Sequence, residues 1–220
     1  MYKTLYLEKK GYVAVITLNR PGKLNALDSQ LTSDFHRALD EVSSQFPEIR
    51  VLIITGAGRG FCSGADVNEH AGNLSSPRRD QISNLHRYDS VPTESILTVA
   101  PHLKRIPQPV LAAINGVAAG AGLSIALACD VRIASEKAKF SSIFIKRSLV
   151  PDNACSLMLQ TIVGMGTAME MALTGRIYDA SWALQSGLVN MVVSDEHLIR
   201  EVEDLAVDIS LNPPQAIRAT

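Results

Sequence analysis

Apolar and polar positions alternate along the chain in segments that switch period. "TLYLE" and "YVAVITL" read as two strands of a hairpin turning over Lys9 to Gly11. "NRPGKLNALD" reads as a loop. Asp28 or Ser29 then caps a helix whose apolar positions Leu31, Phe35, Leu39 and Val42 fall near helical spacing. "VLIIT" (51–55) is a continuous β-branched run, the mark of a strand buried on both faces. The pattern predicts a long helix over residues 86 to 105, ending before Pro107, and then a strand at "PVLAAI" (109–114). A small-residue helix follows at "GAGLSIALAC" (120–129) and a strand at "DVRIAS" (130–135). Further helices are expected around 153–162, 166–173, 180–186 and 195–210, with one more strand at "VNMVV". Strands alternating with helices predict an α/β fold. The polar stretch at residues 71 to 84 reads as a surface loop or lid over this frame.

Composition narrows the classes. A chain of 220 residues with 46% hydrophobic and 20% charged residues is an ordinary globular domain. A formal net charge of −1 gives no support to a nucleic-acid or anionic-membrane partner. Cys62, Cys129 and Cys155 are too few and too far apart for a disulfide framework or a zinc site, so a reducing compartment is expected. The opening "MYKTLYLEKKGYVAV" lacks the apolar core of a secretory leader, and no apolar run is long enough to span a bilayer. The expectation is a cytoplasmic protein.

Two glycine-rich stretches carry the candidate chemistry. "VLIIT-GAGRGFCSGAD" and "PVLAAI-NGVAAGAG" each read as a buried strand, a glycine-rich turn and a helix. Neither matches the dinucleotide fingerprint, because "GAGRGF" and "GAGLSI" lack the last glycine, and no phosphate-loop motif is present. Tight turns and close helix–strand packing account for most such clusters. Two turns that each deliver small residues and free N–H groups at a strand end can do more. Their amides can converge on one oxygen, which is an oxyanion hole built from backbone.

With "ITLNRPGKLNALD" (16–28), "GRGFCSGADV" (58–67), "PQPVLAAINGVAAGAGLSIALACDVRIASEKAKF" (107–140), "LVPD" (149–152) and "ALTGRIYDASWALQSGLVNMVV" (172–193), the chain resembles the crotonase superfamily, the enoyl-CoA hydratase/isomerase group, over essentially its whole length. The resemblance implies a spiral of β-β-α units with two roughly perpendicular sheets surrounded by helices. It implies a catalytic core over residues 1–200 and the start of a C-terminal helical region at 201–220, whose remaining helices would follow Thr220. It implies an acyl-CoA substrate, no separate cofactor, no metal, and a homotrimer or dimer of trimers. Carried over by motif, the thioester oxygen would meet the amides of Ala65 and Ala121. The coenzyme would lie along Lys23, Leu24 and Ala26 and along Ser63, Gly64, Asp66 and Val67, with Gly120 at the second turn and Phe144 in the acyl pocket.

The family's hydratases carry glutamates where this chain has Ser124 and Phe144, so efficient hydration is not expected. Some family isomerases place a single acid where this chain has Asp152. Taken locally, Pro151-Asp152-Asn153 is a helix-cap signature. The family position favours catalysis, with Ile143, Phe144 and Leu149 as apolar walls that raise the carboxyl. Asp66 is expected to organise its loop through nearby N–H groups, and Ser124 to bond backbone within its helix. The five histidines show no metal-ligand spacing, and His70 reads as a polar loop residue near the acyl pocket. The favoured expectation is a Δ3-Δ2 enoyl-CoA isomerase. The alternatives are a hydratase or thioester hydrolase of the same fold, or an inert acyl-CoA-binding or RNA-binding homologue.

Overall fold

The computed structural model describes residues 1–67, 69 and 94–220. Among the described residues, ten strands form two sheets. The larger sheet runs β1 (Leu5–Lys10), β2 (Val13–Leu18), β3 (Val51–Gly56), β5 (Val110–Ile114), β7 (Val131–Ser135) and β10 (Met191–Val193), in that spatial order. The smaller sheet runs β4 (Gly60–Cys62), β6 (Val117–Ala119), β8 (Lys139–Ser141) and β9 (Tyr178–Asp179). Only the first and last pairings, β1 with β2 and β8 with β9, are antiparallel.

Three times the chain leaves a parallel strand of the large sheet, turns, and enters the next strand of the small one: β3 to β4, β5 to β6, β7 to β8. This is the expected spiral. Among the described residues, Val67 and Glu69 are helical, and the helices with described bounds are α1 (Ser29–Ser43), α2 (Val99–Leu103), α3 (Ala121–Ala128), α4 (Cys155–Val163), α5 (Met165–Thr174), α6 (Ala180–Gln185), α7 (Leu198–Ser210) and α8 (Pro214–Ala219).

The pleat of the large sheet sorts its side chains onto two cores. Leu52, Ile54, Val110, Ala112 and Ile114 join the main cluster with Leu31, Phe35 and Leu39 of α1 and Leu123 and Leu127 of α3. Val51, Ile53, Leu111, Ala113 and Ile133 face the other way, onto Leu198, Val202 and Ala206 of α7. Both faces are therefore covered, which is why "VLIIT" and "VLAAI" read as unbroken apolar runs.

Several expectations need correction. The glycine-rich stretches do not pass straight from strand to helix, because each first makes a short strand of the second sheet. All four strands of that sheet escaped the sequence pattern. In place of one long helix over 86 to 105, the described part holds a 3-10 turn at Ile96–Thr98 and the short α2, and residues 86–93 lie outside the described residues. The stretch at 71–84 and His70 also lie outside them. Among the described residues, no helix is long and apolar enough to cross a membrane, and no group of side chains is arranged to hold a metal.

Candidate active site

The turn after β4 places Ala65. It makes an isolated parallel bridge with Leu27. The Leu27 N–H donates to the Gly64 oxygen at 2.7 Å, and the Asp66 N–H donates to the Leu27 oxygen at 2.9 Å. With its neighbours' groups spent on Leu27, the N–H of Ala65 itself points away from that partner. Ala65 is exposed.

Ala121 is the first residue of α3, a position whose N–H has no acceptor inside the helix. Neither amide donates to another described residue. The helix dipole adds partial positive charge behind Ala121.

The two turns touch. Gly64 sits at φ 98° and Gly120 at φ 53°, both in the left-handed region where a side chain is strained. A Cβ on Gly64 would lie 2.8 Å from the Ala119 oxygen and 3.3 Å from the Ala121 nitrogen. By ordinary bond lengths the Ala65 and Ala121 nitrogens are then at most about 7 Å apart. At the next residue of α3, Gly122 leaves no room for a methyl against the Cys62 carbonyl. Glycine thus lets α3 press onto β4 and brings two unspent N–H groups to within about 7 Å of each other. Such a pair can share one carbonyl oxygen as negative charge grows on it.

Polar side chains that the sequence reading passed over hold these turns. Asn25 is fully buried. It accepts from the Arg20 N–H at 2.8 Å and donates to the oxygens of Ala57 at 3.0 Å and Gly60 at 2.7 Å. Asn115 donates to the oxygens of Gly56 and Gly58 at 2.7 and 2.8 Å, stitching the turn after β5 to the turn after β3. Asp66 is buried, and one of its partners is the Arg20 guanidinium at 3.0 Å, which also holds Asp28 at 2.9 Å. The loop is organised through a distant arginine as well as through backbone.

Around the "KLNA" stretch, Lys23 is exposed and Ala26 buried, and Leu24 is left-handed at φ 50°. Ser63 donates to the Lys23 oxygen at 3.2 Å. Val67 is exposed beside Asp66.

Asp152 lies on the turn into α4. It does not cap that helix: the cap residue is Ala154, with no side-chain cap bond. Burial holds its carboxyl above the usual value of 3.8, and the bond from its own backbone N–H offsets this only in part. Ser124 joins this turn to α3. Its Oγ lies 3.3 Å from the Gly120 oxygen, as a helix hydroxyl should, and 3.4 Å from the Asp152 oxygen. The peptide that carries the Ala121 N–H and the Asp152 backbone thus share one hydroxyl.

Phe144 is buried in the turn Ile143–Arg147, and Ile143 reaches within contact of where a Gly120 side chain would begin. Leu149 is the exception among the expected apolar walls, being 52% exposed. Burial pushes the Cys62 thiol up to about 12, so it is a neutral packing residue. Glu69 accepts from the Ser29 N–H at 2.9 Å and from its hydroxyl at 2.6 Å, at the start of α1.

Residues 8–220 match the model of the enoyl-CoA hydratase/isomerase family. The chain belongs to the enoyl-CoA hydratase/isomerase family. It is 35% identical over 201 residues, 91% of this chain and 74% of the relative, to the 1,2-epoxyphenylacetyl-CoA isomerase of Escherichia coli K12. It is 37% identical to the (E)-benzylidenesuccinyl-CoA hydratase of Thauera aromatica, over 97% of this chain and 79% of that one. An enoyl-CoA hydratase subunit from Geobacillus kaustophilus superposes with a TM-score of 0.85 at 31% identity, covering 99% and 79% of the two chains. A monofunctional enoyl-CoA isomerase from M. smegmatis does so with 0.80 at 32%, covering 98% and 89%. The crotonase fold and an acyl-CoA enzyme are therefore established. Hydratases and isomerases of this family resemble the chain about equally, so the choice of reaction rests on the site.

Proposed function

We propose that the protein is a Δ3-Δ2 enoyl-CoA isomerase that uses Asp152 as its single acid–base group. The supporting observation is a partly buried carboxyl that does not cap α4, on a turn whose Asp152 main-chain oxygen is tied to the start of α3 by the Ser124 hydroxyl. In this reading the thioester oxygen accepts hydrogen bonds from the N–H groups of Ala65 and Ala121. The Asp152 carboxylate takes a proton from C2, and the electrons of that C–H bond move toward the carbonyl to form a dienolate. The same carboxyl, now protonated, returns the proton to C4. The C3–C4 double bond becomes C2–C3, and no water or redox partner enters. The coenzyme lies along Lys23, Leu24 and Ala26 and along Ser63, Gly64, Asp66 and Val67, with the exposed Lys23 ammonium meeting a phosphate. Gly120 leaves the second turn open and Phe144 keeps the acyl end dry.

Hydration of a 2-enoyl-CoA asks for a second group to handle water. Ser124 spends its hydroxyl on backbone oxygens and Phe144 has no proton to move, so neither supplies it. The copies of this chain are proposed to assemble as a homotrimer or dimer of trimers.

The test is Asp152→Asn. Turnover of a 3-enoyl-CoA falls about 10²–10⁴-fold, the usual share of a positioned base, while acyl-CoA binding persists because the oxygen's donors are backbone. Retained turnover in this variant assigns the proton transfer to another group.

A further inference from the structure

The residue after Asp152 carries more than its backbone needs. Asn153 at φ 51° and Ala154 at φ 59° are consecutive left-handed residues, and asparagine tolerates that conformation. Glycine would tolerate it at least as well. The Asn153 side chain is nonetheless folded inward and 5% exposed. Its Oδ1 accepts the Ala100 N–H at 2.9 Å, which fixes which end of the amide is the oxygen. Its Nδ2 is buried with no acceptor among the described residues. An idle buried donor is a cost, so the amide is retained for its other end. That end grips α2, which packs on α3. Asp152 is then held from two sides, by Ser124 of α3 on its carbonyl and by α2 through the next residue.

We propose that Asn153 is a positioning residue for Asp152: its bond to Ala100 locks the turn so that the Asp152 carboxyl keeps its partly buried position. The inference rests on the assignment of Asp152 as the acid–base group. Among the described residues the titratable group facing Asp152 is the Cys155 thiol, which burial pushes up to about 12, so it stays neutral and adds no charge.

The experiment compares Asn153→Gly and Asn153→Asp, reading kcat, KM and the pH profile of kcat on a 3-enoyl-CoA. Asn153→Gly keeps the left-handed turn and loses the grip. Its kcat falls about 10–100-fold, the scale of a small misplacement, KM stays within about twofold on the same scale, and the acid limb moves to lower pH as the carboxyl meets water. Asn153→Asp, the conservative variant, keeps an acceptor for Ala100 and adds a negative charge. It rescues kcat above the limb and moves the limb to higher pH. Wild-type kcat and limb in Asn153→Gly overturn the proposal. So does a loss of kcat with an unmoved limb, which is a merely structural defect, or the same loss in both variants. The underlying assignment fails separately: Asp152→Asn would then be active whatever Asn153 does. An inactive Asp152→Asn with an unaltered Asn153→Gly sinks the positioning role alone.

Discussion

Asp152 is a carboxyl that is partly buried, and that has a thermodynamic signature apart from turnover. Its folded value is raised above the 3.8 of a free side chain, with burial as the cause. The folded chain therefore holds this proton more tightly than the unfolded chain does. The group's stabilising contribution is full below pH 3.8 and is lost as pH rises through the folded value. Asp152→Asn removes the ionisation and so should raise Tm at pH 7, with the gain vanishing below about pH 4. A gain that grows on acidification contradicts the raised value. The turns that hold Asp152, Ala65 and Ala121 could be picked out from the sequence because short motifs carry them. Arg20, Asn25 and Asn115 lay inside the same quoted motifs and were missed. Their bonds reach as far as 59 residues along the chain, from Asn115 to Gly56, and nothing local announces such a partner.

At the level of elements, helix α1 was readable because Leu31, Phe35, Leu39 and Val42 recur at helical spacing and all are fully buried. The large sheet was readable because its central strands are five or six residues long and apolar throughout. The small sheet was not. Its strands are two or three residues long, too short to show a period of two, and their pairing is set by how the spiral stacks. That same stacking presses α3 onto β4, and Gly122 is where it can be tested. Alanine in mid-helix adds roughly 0.5–1 kcal/mol over glycine, which is an upper bound at Gly122, the second residue of α3. Here its methyl would collide with the Cys62 carbonyl, a backbone atom that cannot swing aside. Overpacking of this kind costs about 1–3 kcal/mol, so the clash wins. Gly122→Ala should lower Tm by several degrees and turnover with it, because the start of α3 moves away from Ala65. An unchanged or higher Tm would mean that α3 and β4 are not in close contact.

On the scale of the whole molecule, one face has not found its cover. Met165, Met169 and Leu173 repeat every four residues along α5 and are 61%, 47% and 64% exposed, and Leu157 of α4 is 63% exposed. A patch of this size and regularity on a globular chain marks a contact surface. With a proposed trimer or dimer of trimers as its occupant, Met169→Glu should shift the assembly toward monomers in light scattering. A wild-type protein that scatters as a monomer removes the proposal. The central claim is that this family member moves a double bond and does not add water. It is tested most directly by giving one preparation both a 3-enoyl-CoA and a 2-enoyl-CoA and measuring kcat/KM for isomerisation and for hydration. The proposed site, with Asp152 as its one acid–base group, predicts isomerisation ahead by about 10²-fold or more, the share of a missing second acid–base group. Hydration equal to or faster than isomerisation would contradict it.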